Sequence, residues 1–235
     1  KERRLLLRFE AGHIRAVLSE SYVPIDHHEI VQGLMDAGVH KNKNVQLRVD
    51  KTLMQLNVLE KNRTFRVKAD DTFIPGLCIT NSETGLAGLS VSAYLQRQIN
   101  DSGMIQNIWG TSTNFRHTTR YPMQRLGDAL GRAYTKTHNQ KHILKHALKE
   151  RIPEPERFVH KAAAEYKLSK AQQYALEDAL ERSVDMSHAD TRLDQNLYSS
   201  AHIFTAAAQH HSLNALQSAM LQQIGGAVVE LGLYD

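Results

Sequence analysis

Apolar positions change their period once along this chain. Between residues 45 and 91 they alternate with polar ones, as on half-buried strands; from Tyr121 onward they recur every three or four residues, as on helices. In Val45-Gln46-Leu47-Arg48-Val49 the apolar residues alternate with Gln46 and Arg48. Met54, Leu56 and Val58 alternate with Gln55, Asn57 and Leu59, and Asp50-Lys51 supplies the turn between the two strands. A further strand, Thr64 to Lys68, points Phe65 and Val67 one way and Arg66 and Lys68 the other, which predicts a sheet with one apolar face and a basic reverse. Phe73 to Thr80 and Ala87 to Val91 read as a hairpin. Its turn is Asn81 to Gly85, short polar side chains ending in a glycine able to take positive φ. A helix from Ser92 to about Ile99 is predicted to cross back over this sheet. Upstream, Asp26 is the N-cap of a helix from His27 to Asp36, and Gly38 stops it.

In the second half, Leu126, Leu130 and Ala133 recur at helical spacing, as do Ile143, Leu144, Ala147 and Leu148. Ile152-Pro153-Glu154-Pro155 is the clearest break. Beyond it, Arg157 to Tyr166, Ser169 to Asp185 and Asp194 to about Leu233 read as amphipathic helices. The fold class is α+β: antiparallel strands and hairpins packed with helices, then an all-helical region. Residues 1–150 form the front portion and residues 151–235 a helical portion for packing or oligomerisation.

Charge sharpens this division. Residues 1–150 hold 22 Lys and Arg against 14 Asp and Glu, and residues 151–235 hold 7 against 11. Residues 41–68 carry eight basic and two acidic side chains, and residues 116–149 carry eight and one. Two basic windows on different elements point to a polyanion-binding front, against the plainer reading that Lys and Arg simply occupy solvated faces. No apolar run approaches the roughly 18 residues of a membrane span, so a soluble protein is expected. The single cysteine, Cys78, permits no internal disulfide and suits a reducing cytoplasm; in a strand it reads as a small core residue.

The segment Pro75 to Met104, with the upstream run Arg15 to Asp26, resembles the phage/plasmid-like domain family of unknown function found on prophages, plasmids and integrated elements. The matching residues are Arg15, Ser19, Tyr22, Asp26, Gly76, Asn81-Ser82-Glu83, Gly85, Arg97 and Gly103, within roughly residues 11 to 125. Family members often carry Cys-x-Asn-Gly where this chain has Asn100-Asp101-Ser102-Gly103, so no role of that cysteine carries over. The resemblance implies a mobile-element habitat rather than a reaction. The predicted element order also resembles, in topology alone, the single-strand-annealing recombination proteins of the Red-beta group.

Annealing needs a groove that tracks phosphates with Lys and Arg and uses no ATP. One wall is predicted from Arg48, Lys51, Arg63, Arg66 and Lys68, the other from Arg116, Arg120, Arg125, Arg132 and Lys136. Trp109, Phe115 and Tyr121 are candidate stacking residues, each with the core as its competing place. The expected partner is single-stranded DNA, bound by a homo-oligomer without a cofactor.

Catalytic signals are sparse. Gly85-x-x-Gly88 lacks the Gly-Lys-Ser/Thr of a phosphate loop, and no Gly-x-Ser-x-Gly or His-Glu-x-x-His occurs. His138, His142 and His146 share a helical stripe, but Lys141, Lys145 and Lys149 flank it and disfavour a cation. His27-His28 and His210-His211 are adjacent pairs that point to different sides of a helix. A metal-dependent nuclease requires Asp26, Asp70, Asp71 or Glu83, with Glu29, to converge. The third alternative is a structural or regulatory module that binds an acidic protein.

Overall fold

A computed structural model describes residues 4–39, 41, 44–68, 71–99, 105–118, 123–184 and 193–231. The chain opens with a two-stranded antiparallel hairpin, β1 (Leu5–Glu10) and β2 (His13–Ser19), then helix α1 (His27–Asp36). A larger antiparallel sheet follows in the order β3 (Asn44–Val49), β4 (Met54–Leu59), β6 (Asp71–Asn81), β7 (Leu89–Ile99) and β8 (Ile105–Phe115), with the short β5 (Phe65–Arg66) paired to β6. Among the described residues five α-helices follow: α2 (Leu126–Lys149), α3 (Pro155–Glu165), α4 (Lys170–Val184), α5 (Leu197–Ala207) and α6 (Ala215–Leu231). The architecture is α+β.

Local chemistry explains the elements that alternation predicts. Asp50 Oδ1 accepts from the Thr52 and Leu53 N–H groups at 2.7 and 3.0 Å, closing the β3–β4 turn as an Asx-turn. At the β6–β7 turn Gly85 has φ +76°, and a Cβ there would stand 2.8 Å from Leu18 Cδ2. Gly76 answers a different need. A Cβ on it would lie 2.2 Å from the Val58 carbonyl oxygen, so β4 and β6 require glycine at this point.

The helix expected over Ser92 to Ile99 is instead the second half of β7, paired with β6 from Ser90 to Ile99 and with β8 on its other edge. Alanine, leucine, glutamine and arginine are among the better helix formers, but the preference is less than about 1 kcal/mol per residue. Pairing on both edges, with Ala93, Tyr94, Leu95 and Gln96 all buried, overrides that preference. The predicted helix from Asp194 to Leu233 is broken into α5 and α6, and the Thr64–Lys68 strand is reduced to the two residues of β5.

Helices cover both faces of the large sheet. On one face Leu56, Val58, Leu77, Ile79 and Val91 pack with Ile30 and Leu34 of α1 and Leu126, Ala129 and Leu130 of α2. On the other, Ile74, Cys78 and Tyr94 pack with Ala215 and Ala219 of α6. The largest cluster joins Phe73 and Leu95 of the sheet to Leu144, Val159, Leu176, Phe204 and Leu221 of the helices, so the front portion and the helical portion share one core. Cys78 is fully buried, and burial pushes its thiol well up.

At the end of β6 and β7 this core holds a polar knot. Arg97 Nε donates to Asp71 Oδ1 at 2.8 Å and Tyr198 donates its hydroxyl proton to Asp71 Oδ2 at 2.5 Å. His202 lies beside it, against Phe73 and Tyr198. Burial, then Arg97 and Lys68, lowers its pKa well below the ordinary value. The folded chain thus keeps His202 neutral while the unfolded chain takes up a proton below about pH 6.5. The unfolded state then binds more protons, so His202 leaves stability intact above about pH 6.5 and subtracts from it as pH falls. Thermal melts at about pH 7.5 and pH 5 are expected to show a drop that His202→Leu reduces; an equal drop in wild type and variant contradicts this assignment.

Candidate nucleic-acid interface

Helix α2 is 24 residues long, about 36 Å, and buries one stripe: Leu126, Ala129, Leu130, Ala133, Thr137, Gln140, Leu144 and Ala147. Apart from Ile143 and Leu148, half-buried against the core, the rest of its circumference is solvent-facing. Between residues 125 and 149 that exposed surface carries Arg125, Arg132, Lys136, Lys141, Lys145 and Lys149 against the single carboxylate Asp128. Helical phase divides the cations. Arg125, Arg132 and Lys136 follow one flank of the buried stripe, and Lys141, Lys145 and Lys149, four residues apart, follow the other. His138, His142 and His146 are exposed on the outer surface between the flanks. No carboxylate among the described residues pairs with any of the six cations.

Only part of the first predicted wall reaches α2. Lys61 to Arg63 form a short 3-10 turn after β4, and Arg63 Nη1 donates to Thr137 Oγ1 at 3.2 Å and to Glu60 Oε2 at 2.8 Å. Its guanidinium lies 5.7 Å from the centre of the Tyr134 ring. Thr137 and Tyr134 stand four and seven residues before Lys141 on the same flank, so the fold places Arg63 in line with Lys141, Lys145 and Lys149. Those three lysines fall within the second basic window but outside the wall chosen from sequence. Helix phase alone separates them from Arg132 and Lys136; the match to Arg63 comes only from the fold.

The other predicted wall residues are dispersed. Arg48 and Lys51 lie at the β3–β4 turn, at the start of β4, while Arg63, Arg66 and Lys68 follow its end, about 17 Å of strand away. Register puts Arg48 and Arg66 on one face of the sheet, but α6 covers the middle of that face, so no continuous basic surface forms there. Lys68 Nζ is 3.2 Å from Asp194 Oδ2 and 5.2 Å from the Tyr198 ring centre. Arg116 is exposed after β8, and Arg125 lies over Phe115. Phe115 itself is 3% exposed and belongs to the core, not to a stacking surface. The Trp109 side chain, Arg120 and Tyr121 lie outside the described residues. The exposed ring beside the cations is Tyr134, which the sequence reading did not select.

Two of the carboxylates named for a nuclease, Asp26 and Glu83, do come together, but around arginines that neutralise them. Asp26 and Glu83 both bind Arg8, with Glu83 Oε2 at 3.2 Å, and Arg15 Nη1 lies 3.6 Å from the same Glu83 oxygen. Glu83 Oε1 accepts the His27 N–H at 2.8 Å at the start of α1, where the helix dipole favours a negative charge. Asp26 caps that helix, and its N–H donates to Glu29 at 3.2 Å. Burial lowers the His27 pKa, Glu83 opposes the shift, and Arg15 and Arg8 reinforce it. Tyr22 reaches the Ser82 and Glu83 carbonyls at 3.4 and 3.3 Å, and Asn81 donates to the Ile25 carbonyl at 2.9 Å. Arg15, Tyr22, Asp26, Asn81, Ser82, Glu83 and Gly85 therefore meet as a latch that ties the first hairpin and α1 to the β6–β7 turn. Asp71 is held apart by Arg97, and Asp70 lies outside the described residues.

Among the described residues, no three His, Cys, Asp or Glu side chains come together as a metal-ion site, and no helix is long and apolar enough to cross a membrane. His210 and His211 are not on a helix as expected. They sit in the α5–α6 connection with their rings stacked 4.4 Å apart. The chain matches no protein-family model, no curated protein and no solved structure.

Proposed function

We propose that this chain is a sequence-tolerant nucleic-acid-binding protein of a mobile element, which binds single-stranded DNA and promotes strand annealing without ATP. The observation that carries the reading is the exposed face of α2, with six cations, one carboxylate and the aligned Arg63. Unpaired side chains on a rigid helix retain their full field for phosphates. Their spacing tracks a backbone and reads no base, which makes the binding sequence-tolerant. Tyr134 supplies a ring for base stacking. Arg63, Tyr134, Lys141, Lys145 and Lys149 form the track. The mobile-element setting rests on the family resemblance alone.

Self-association is part of the proposal. Almost all side chains of α5 are buried, as are most of α6, so assembly through the helical portion would use the outward faces of α3 and α4. Matched fluorescent single-stranded and double-stranded oligonucleotides, titrated across a salt series with and without Mg²⁺ and then mixed with the complementary strand, test the reading. Salt-sensitive binding that favours the single strand, with faster annealing and intact oligonucleotides, is expected. Mg²⁺-dependent shortening would favour a nuclease, and no binding at low salt would leave the protein-interaction module.

A further inference from the structure

On the face of the sheet opposite α2, a cavity of about 380 Å³ opens between β3, β4 and the α5–α6 connection. Its polar lining is unusually rich in carboxamides. Gln55 Nε2 donates to Asn57 Oδ1 at 3.3 Å, and Asn57 Nδ2 donates to the Tyr94 hydroxyl at 3.2 Å. Behind them Gln96 Nε2 donates to Gln46 Oε1 at 3.3 Å. Gln55, Asn57 and Gln96 are all buried, so their hydrogen-bonding directions are fixed rather than averaged by water.

The facing wall adds a further buried carboxamide, that of Gln222. Ser218 donates its hydroxyl proton to the Ala208 carbonyl at 2.7 Å, which leaves the Ser218 oxygen to receive Gln222 Nε2 at 3.4 Å. That arrangement sets the orientation of the amide. Gln222 is 4% exposed, it lines the cavity, and its Oε1 has no partner among the described residues. Arg48, exposed at the rim, adds a cation, and the stacked rings of His210 and His211 add flat surface.

We propose that this cavity binds a nucleobase carrying a phosphate. Carboxamides offer a donor and an acceptor in one plane, the pattern that matches the edge of a base; a guanidinium suits the phosphate. The volume falls within the range of about 300–1,000 Å³ usual for small-ligand sites. An anion alone would leave the carboxamides unused, and a neutral sugar would leave Arg48 unused. The base edge meets the carboxamides that line the cavity, those of Gln55, Asn57 and Gln222 among them. The ligand comes either as a free mononucleotide or as an unstacked nucleotide of a strand. The proposal does not rest on strand binding by α2, which lies across the sheet.

Isothermal titration of the full chain with the adenine, guanine, cytosine and uracil nucleoside monophosphates, and with a short oligonucleotide, tests it. Saturable binding is expected. Gln222→Met removes one of the carboxamides that line the cavity without opening a further void, so the variant folds, and it is expected to bind about tenfold more weakly. Arg48→Ala is expected to weaken the monophosphate but not the nucleoside. Lys141→Glu with Lys145→Glu leaves mononucleotide binding unchanged, so loss of the α2 reading and loss of this one are separate results. Binding of mononucleotides identifies the free ligand as the source; binding of the oligonucleotide alone, weakened by Gln222→Met, identifies the strand. Absence of saturable binding by either ligand at millimolar concentration, or unchanged affinity in Gln222→Met, overturns the proposal.

Discussion

Arg97→Met is expected to cost about 3–5 kcal/mol of stability, because it leaves a carboxylate buried without its cation. Asp71 and Arg97 are each 4% exposed, and Tyr198, which donates to the other Asp71 oxygen, is 1% exposed. The three side chains come from β6, β7 and α5, so the network joins the end of the sheet to the helical portion. Removing Arg97 strands Asp71 in a site that water does not enter, and protonating Asp71 or opening the α5 contact is the remaining relief. Replacing both members, Asp71→Leu with Arg97→Met, is expected to recover much of the loss, since the desolvation cost of the pair disappears with it. Urea denaturation of the single and double variants measures both quantities. A single variant within about 1 kcal/mol of wild type would show that the pair is not the buried bridge its geometry implies.

The second large effect concerns α2. Lys141→Glu with Lys145→Glu is expected to weaken single-strand binding about 100-fold at low salt, taking about 1.4 kcal/mol for each reversed phosphate contact. Both lysines are exposed and unpaired among the described residues, so stability should stay within about 0.5 kcal/mol of wild type. Reversal at Arg132 and Lys136, on the opposite flank from Arg63, is expected to cost less. Fluorescence anisotropy with a labelled oligonucleotide compares the two pairs. An equal loss from both flanks would mean that the strand wraps the helix instead of following the Arg63 side.

How far the chain could be read in advance varied with how local the cause was. Asp26 capping α1, the Asp50 turn and the positive φ of Gly85 are decided within a few residues, and each stood in the sequence. The second part of β7, from Ser92 on, did not, because a strand covered on both faces loses the alternation that betrays a strand. The hairpin β1–β2 escaped for the opposite reason: Leu5, Leu6 and Leu7 run consecutively, and Leu5, Leu7, Phe9, Ile14 and Val17 all remain exposed. The basic windows were visible as charge, yet charge does not say which cations share a surface. Arg63 joins α2 only because the 3-10 turn after β4 folds against Thr137, and Arg48 is separated from it by the length of that strand. The carboxamides of the cavity were the least visible. Gln46, Gln55 and Asn57 occupy the polar positions of alternating strands, which the pattern assigns to solvent until α6 is known to lie over that face.

The measurement that bears most directly on nucleic-acid binding by α2 is the salt dependence of single-strand affinity in the wild-type chain and in Lys141→Glu with Lys145→Glu. Each phosphate contact on a single strand contributes about −0.7 to the slope of log affinity against log salt. The wild type is expected to show a steep slope, and the double reversal a slope shallower by about 1.4. Equal slopes in two folded proteins, or a wild-type affinity indifferent to salt, would contradict the assignment of α2 as the strand track.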